Sequence, residues 1–330
     1  MQQFTPLEYI KIAVANHFGL DKLTWQQRLN WFNSHSLSGL EALENEADEP
    51  ILYAKMLRTW KDAKRGIASG TPIGLDATAS GLQILACLIG CHDTAHSVNL
   101  INTGKREDVY ERVAKHMSQE IGHDIPRSKL KKPIMTTFYG SKEQPKLVFG
   151  EDTQELEIFN EMLEKDLGGA LEVMNDIQSC WQGNAHYHSW TLPDGHTAYV
   201  PVMDEETKKI EVDELDHATF THKAYVNRPM ESGISLAANV THSIDGYVVR
   251  EMVRRAHKQG FEILTIHDSF WCHPNYVQNM RQNYLDILIE IADSDLLSSI
   301  LTEITGEPIK VIKRSDNLAQ LMKDAEYALS

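Results

Sequence analysis

Apolar residues recur at near-helical spacing through the opening of the chain, at Leu7, Ile10, Ile12, Val14 and Ala15 and again at Leu52, Met56, Leu57 and Trp60, so residues 6–60 predict helices. The run Ala68-Ser-Gly-Thr-Pro-Ile-Gly breaks that pattern, which puts Asp76 at the end of a strand. Leu82, Leu85, Ala86 and Ile89 then mark a helix over 80–89, and another is expected over 106–120 before Gly122 and Pro126 interrupt. Residues 151–183 read as helical. Short alternating stretches over 190–226, with the turn signal Pro193-Asp194-Gly195, predict hairpins. A helix over 244–259 follows, then a hairpin whose arms are 261–266 and 269–273 and whose bend holds His267 and Asp268. The last fifty residues are expected to be largely helical. No repeat or low-complexity tract interrupts this α+β, mainly helical pattern.

A chain of 330 residues, 42% of them hydrophobic, has room for one large or two ordinary domains with a substantial core. No uncharged apolar run reaches membrane-spanning length, and Met1-Gln-Gln-Phe-Thr-Pro-Leu-Glu lacks the charged start and apolar block of a signal peptide. A cytoplasmic protein without a membrane partner is expected. Cys87, Cys91, Cys180 and Cys272 show no Cys-x-x-Cys spacing, so reduced thiols are expected. The net charge of −15 argues against nucleic acid, but residues 125–149 hold six basic side chains against one acidic. A local positive groove on an acidic body is compatible with both facts.

Two aspartates bracket that basic segment: Asp76 in Gly-Leu-Asp-Ala-Thr-Ala-Ser-Gly-Leu-Gln and Asp268 in Ile-His-Asp-Ser-Phe. Two carboxylates able to share a pair of Mg2+ ions, with a cationic helix between them for a triphosphate, are what nucleotidyl transfer requires. Arg127, Lys131, Met135 and Tyr139 recur every four residues and share one helix face. Arg127 and Lys131 would meet phosphate oxygens, Met135 would give an apolar platform, and Tyr139 would stack on a base or touch the sugar just before Gly140 ends the helix. Pro133 lies inside this stretch and predicts a kink or a late helix start. Each piece alone has a plainer reading. An isolated aspartate near a turn is usually a cap, His242 and His267 would be satisfied polar residues, and Met135 would be packing. Cys87, Cys91, His92 and His96 do not converge as zinc ligands, because adjacent helical positions diverge by about 100°. His186, His188, His217 and His222 show no metal spacing.

Taken together the residues resemble the C-terminal catalytic part of the bacteriophage-type single-subunit RNA polymerases, relatives of the mitochondrial enzyme. The resemblance spans nearly the whole chain. It rests on Asp76-x-x-x-Ser80-Gly81-x-Gln83, on Arg127-Ser-x-x-Lys131 through Tyr139-Gly-Ser-Lys142-Glu, on Asn239 with His242-Ser-x-Asp245-Gly246, and on His267-Asp268-Ser269-Phe270. It implies a right-hand polymerase palm and fingers: an N-terminal helical base over 1–66, palm over 67–125, fingers with a hairpin insertion over 126–229, and palm with C-terminal helices over 230–330. It implies metal binding by Asp76, Asp268 and the Ala77 carbonyl, with two Mg2+ ions as cofactor, and triphosphate contacts from Arg127, Lys131 and Lys22. Tyr139 and His242 match a ribose-sensing pair, and His267 matches a contact to the primer end. The competing readings are a DNA polymerase of the related palm and an inactive nucleic-acid-binding scaffold. Related DNA polymerases carry glutamate where Gly81 and Ser269 stand here, so the resemblance favours ribonucleotides.

Members of that family are usually far longer, with an N-terminal promoter-binding domain and a thumb that have no counterpart here. The implied partners are a DNA template, single-stranded or melted, the RNA product, ribonucleoside triphosphates, and a second polymerase subunit carrying the N-terminal and thumb part, as in two-subunit phage enzymes. That comparison points to the cytoplasm of a bacterial host. Glu326-Tyr-Ala-Leu-Ser resembles the family's short terminus, which lies near the active site. The stretch 197–221, where the family carries a DNA-reading hairpin, is strongly acidic. Acidic hairpins repel phosphate, so delivery of the template by a DNA-binding accessory factor is expected.

Overall fold

The computed structural model describes residues 1–202, 204–226 and 233–330. Four helices open the chain: α1 (Pro6–Ala15), α2 (Trp25–Ser34), α3 (Leu37–Ala42) and α4 (Pro50–Lys64). Reciprocal capping boxes start the first two, Thr5 with Glu8 and Thr24 with Gln27, each satisfying two backbone donors at a helix N-terminus. Strand β1 (Ile73–Asp76) follows the expected break, then α5 (Ser80–Ile89) and α6 (His92–Ser97). Next come α7 (Val109–Ile121), α8 (Arg127–Thr137), α9 (Glu143–Phe149) and α10 (Gln154–Ser179). Strands β2 (Tyr187–Thr191) and β3 (Thr197–Pro201) make one hairpin, and β4 (Asp204–Val212) and β5 (Ala218–Val226) a second. The chain then runs through α11 (Ile234–Lys258), β6 (Ile263–Ile266), β7 (Ser269–Cys272), α12 (Val277–Asp293), α13 (Leu296–Thr305) and α14 (Leu318–Met322).

Strand β7 is the centre of a three-stranded antiparallel sheet ordered β1-β7-β6. Period-two alternation buries Ile73 and Leu75 of β1 with Phe270 and Cys272 of β7, while Gly74, Asp76, Ser269 and Trp271 take the other face. Gly74 is required there: a Cβ on it would lie 2.3 Å from Trp271 Cε2. Helix α12 packs on both β7 and α5, and its buried residues join one continuous core with α1, α5, α10 and α11.

Several boundaries differ from expectation. Helix α11 begins ten residues before the predicted start, because Leu236, Ala237, Val240 and Ile244 bury one face and override the weak helix propensity of its Ser, Thr and Asn neighbours. The last fifty residues are helical only in part; after Thr305 the chain is mostly without regular structure apart from the short α14. Helix α7 starts at Val109, where Asp108 caps it. Helix α8 starts before Pro133 and runs through it, so no late start occurs. The expected boundary at 229/230 lies outside the described residues. Cys91 packs against Gly169 of α10, and His92 pairs with Asn317.

Residues 326–330 are strapped across the end of β1. Thr78 N donates to Ala328 O at 3.2 Å and Ser330 N to Asp76 O at 3.0 Å, an antiparallel bridge centred on Ala77 and Leu329. The strap is anchored by Trp25, whose indole stacks on Tyr327 and donates to Glu326 O at 3.1 Å. Buried Arg281 donates to the same carbonyl at 2.9 Å.

Candidate active site

The two aspartates meet at the open end of the three-stranded sheet. Asp76 is the last residue of β1 and pairs with Ser269, and Ala77 N donates to Asp268 O at 3.0 Å. Asp268 is the second residue of a two-residue turn between β6 and β7. His267 takes the left-handed conformation (φ 54°) at the first position, which that turn geometry demands. Burial pushes the Asp268 carboxyl above the ordinary carboxylate range, and the Asp76 charge pushes the same way. Ala79 also stands in left-handed backbone (φ 56°), a costly conformation for a residue with a Cβ, where the chain turns from β1 into α5.

Helix α8 faces this corner across a cavity of about 370 Å³. Arg127, Lys131, Met135 and Tyr139 all line it, as the four-residue spacing predicts, together with Asp76, Ala77 and Asp268 and with Lys22 from the segment after α1. Gly140 closes the helix in left-handed backbone (φ 88°), its amide bonded to Thr137 O at 2.8 Å. His242, on α11, reaches the group through Tyr139, their rings edge to face with centroids 4.8 Å apart. His267 is exposed and, like Gly140 and His242, does not line the cavity.

Two cations of the cavity are already held by carboxylates. Lys22 is bonded to its neighbour Asp21. Arg127 Nε donates to Asp108 Oδ2 at 2.8 Å, while Asp108 Oδ1 accepts the amides of Tyr110 and Glu111 at the start of α7. The Arg127 guanidinium also lies over the Tyr110 ring, 5.2 Å from its centroid, and burial pushes the Tyr110 hydroxyl up to about 12. Asp108, Tyr110, Arg106 and Ser330 line the cavity and were not among the residues read as functional from sequence. The pattern Asp108-Val-Tyr-Glu carries the cap signal that locates Asp108; for Arg106 there was none.

The corner offers the Asp76 and Asp268 carboxylates and the Ala77 carbonyl, since the strap engages the Asp76 carbonyl and the Thr78 amide. The Asp245 carboxylate and the His267 imidazole lie close enough to act on Asp268, and the His242 imidazole on Asp245. Carboxylate and carbonyl oxygens suit Mg2+. Away from this site, Glu211, Asp213 and exposed His217 bring ligand atoms within 4.8 Å of one another on the β4–β5 hairpin, a grouping that histidine spacing alone did not show. Among the described residues no helix is long and apolar enough to cross a membrane.

The profile of the family described as DNA-dependent RNA polymerase matches residues 4–148 and 170–327. A probable DNA-directed RNA polymerase of Neurospora crassa is 33% identical over 161 residues, covering 42% of this chain and 18% of that protein. The mitochondrial DNA-directed RNA polymerase 1 of Arabidopsis thaliana is 24% identical over 89% of this chain and 36% of its own length; that of Nicotiana sylvestris is 24% identical over 89% and 35%. The chain thus spans about a third of the length of the plant relatives it matches. These relatives overturn the bacterial-host cytoplasm expected from sequence, since the plant enzymes named are mitochondrial or chloroplastic. The chain belongs to the DNA-dependent RNA polymerase family of the phage-type, single-subunit kind.

Proposed function

We propose that this chain carries the nucleotidyl-transfer site of a DNA-directed RNA polymerase, adding ribonucleotides to an RNA 3′ end on a DNA template. The observation that carries this reading is the cavity itself, which is lined by Asp76 and Asp268 together with Arg127, Lys131 and Tyr139. The 3′-hydroxyl attacks the α-phosphate of the incoming triphosphate and pyrophosphate leaves in line. Asp76, Asp268 and the Ala77 carbonyl would hold two Mg2+ ions, which when bound lower the hydroxyl pKa and offset charge on the leaving group. Arg127 and Lys131 orient the triphosphate and neutralise its charge, with Lys22 at the edge of the same cavity. Met135 supports the base, Tyr139 with His242 reads the ribose, and His267 on the rim meets the primer end.

In the same reading, residues 67–125 and the C-terminal part form palm, residues 126–229 form fingers, and residues 1–66 form their helical base. The working enzyme includes further polypeptide carrying the thumb and N-terminal part, either a second subunit or a longer chain, as the one-third coverage of its relatives suggests. The acidic β4–β5 hairpin favours melted or single-stranded template. The test is Mg2+-dependent extension of an RNA primer on template DNA, with ribo- or deoxyribonucleotides. Ribonucleotide addition supports the reading. Exclusive deoxyribonucleotide addition, or binding without extension in the fully assembled enzyme, opposes it.

A further inference from the structure

Arg106 stands in the loop before α7, outside every motif that points to the polymerase site. The loop is held by buried Asn99, in left-handed backbone (φ 62°), whose side chain donates to Glu107 O at 2.8 Å and accepts from Glu107 N at 2.7 Å. The backbone next to Arg106 is therefore fixed. Arg106 Nε donates to the Ser330 hydroxyl at 2.9 Å, which orients the guanidinium plane in the cavity wall. Among the described residues its two terminal nitrogens have no hydrogen-bond partner, whereas Arg127 is engaged by Asp108 and Lys22 by Asp21. Lys131, also in the cavity wall, has no ion-pair partner among the described residues either.

A guanidinium pinned at Nε still offers a planar fork of donors, and that geometry matches two oxygens of a phosphate group. Asp21, Asp76 and Asp108 are near enough to Arg106 to act on it electrostatically, without forming an ion pair with it. A half-buried cation in that position gains most from a ligand that brings its own negative charge.

We propose that Arg106, together with Lys131, forms a subsite for the terminal phosphates of the bound nucleotide, and so for pyrophosphate after transfer. This rests on the nucleotidyl-transfer reading of the cavity. Arg106 contributes the bidentate contact and Lys131 a point charge, while the Ser330 hydroxyl aims the guanidinium.

The probe is magnesium pyrophosphate, titrated calorimetrically into the assembled enzyme, with ribonucleotide addition measured on the same preparations. Arg106→Ala weakens pyrophosphate binding by about tenfold or more and raises the KM for nucleotide more than it lowers kcat. Arg106→Lys recovers part of the affinity, because charge returns without the fork. Ser330→Ala, which removes only the anchor, costs less than about threefold by comparison with a charged contact. Pyrophosphate affinity unchanged in both Arg106 variants, or lost equally in Ser330→Ala, overturns the subsite and leaves Arg106 as an anchor for the strap. Wild-type enzyme that adds nucleotides while the variants bind pyrophosphate normally removes only this inference; wild-type enzyme that adds none removes the parent reading with it.

Discussion

A Cβ placed on Gly81 would lie 3.6 Å from the hydroxyl of Tyr139. Position 81 therefore controls the space in front of the phenol of Tyr139, just past the end of α8. Tyr139→Phe removes a hydrogen-bonding hydroxyl and keeps the ring against His242, so the preference for ribo- over deoxyribonucleotides should fall by about tenfold or more. Gly81→Glu should oppose ribonucleotides by filling that space. Steady-state kcat/KM with each nucleotide class reads both, and an unchanged ratio in both variants removes the pair from sugar choice.

Asp108 joins two jobs in one carboxylate, capping α7 with one oxygen and holding Arg127 with the other. Asp108→Ala should cost about 1 kcal/mol through the lost cap. It should also raise the KM for nucleotide, because Arg127 loses the partner that orients it. A double-mutant cycle with Arg127→Ala checks the link: the two KM effects should be far from additive. Strict additivity would separate cap from cation.

The β2–β3 turn is tied to α11 by Asp194, whose carboxylate takes both Nε and Nη2 of Arg250 and is almost fully shielded from solvent. The hydrogen bond from Arg250 holds the Asp194 carboxyl below its ordinary range. A carboxylate with a depressed folded pKa stabilises the fold fully above its unfolded value, about pH 4, and that contribution is lost as pH falls through the folded value. Asp194→Asn should thus cost about 1 kcal/mol at neutral pH, because solvent reaches the Arg250 side of the pair, and progressively less in acid below about pH 4. Urea unfolding at several pH values tests this; a penalty that grows toward acid would contradict it.

Neighbouring glycines in α10 should respond with opposite signs. A Cβ on Gly169 would sit 2.5 Å from Cys91 Sγ, whereas one on Gly168 meets nothing within 4 Å. Gly169→Ala should destabilise by about 1–3 kcal/mol through overpacking. Gly168→Ala should be neutral or stabilise by up to about 1 kcal/mol through helix propensity. Thermal unfolding of the two variants distinguishes them, and equal shifts would contradict the packing of α6 on α10.

Residues whose placement follows from local spacing were legible before the structure. The four-residue repeat from Arg127 to Tyr139 needed only helix geometry, and the bend at His267-Asp268 needed only the two hydrophobic arms around it. Asp76 was legible as a strand end for the same reason. What sequence did not reveal depends on long-range contacts: Arg106 reaches Ser330 across 224 positions, and the Asp194–Arg250 tie spans 56. The early start of α11 also escaped, because tertiary burial rather than propensity makes residues 234–243 helical. The bacterial-host location failed for another reason: it was carried over from two-subunit phage enzymes, whereas the plant relatives matched here are mitochondrial or chloroplastic.

The central claim is that Asp76 and Asp268 form the reacting end of the cavity. Single-nucleotide addition to an RNA primer on template DNA by Asp268→Asn enzyme, with primer–template binding measured alongside, tests it most directly. The substitution keeps the shape of the side chain and removes its charge. Addition should fall by at least about 1,000-fold, a barrier increase of about 4 kcal/mol, while binding stays within about threefold, a change of less than about 1 kcal/mol. Addition at the wild-type rate would contradict the assignment of this site.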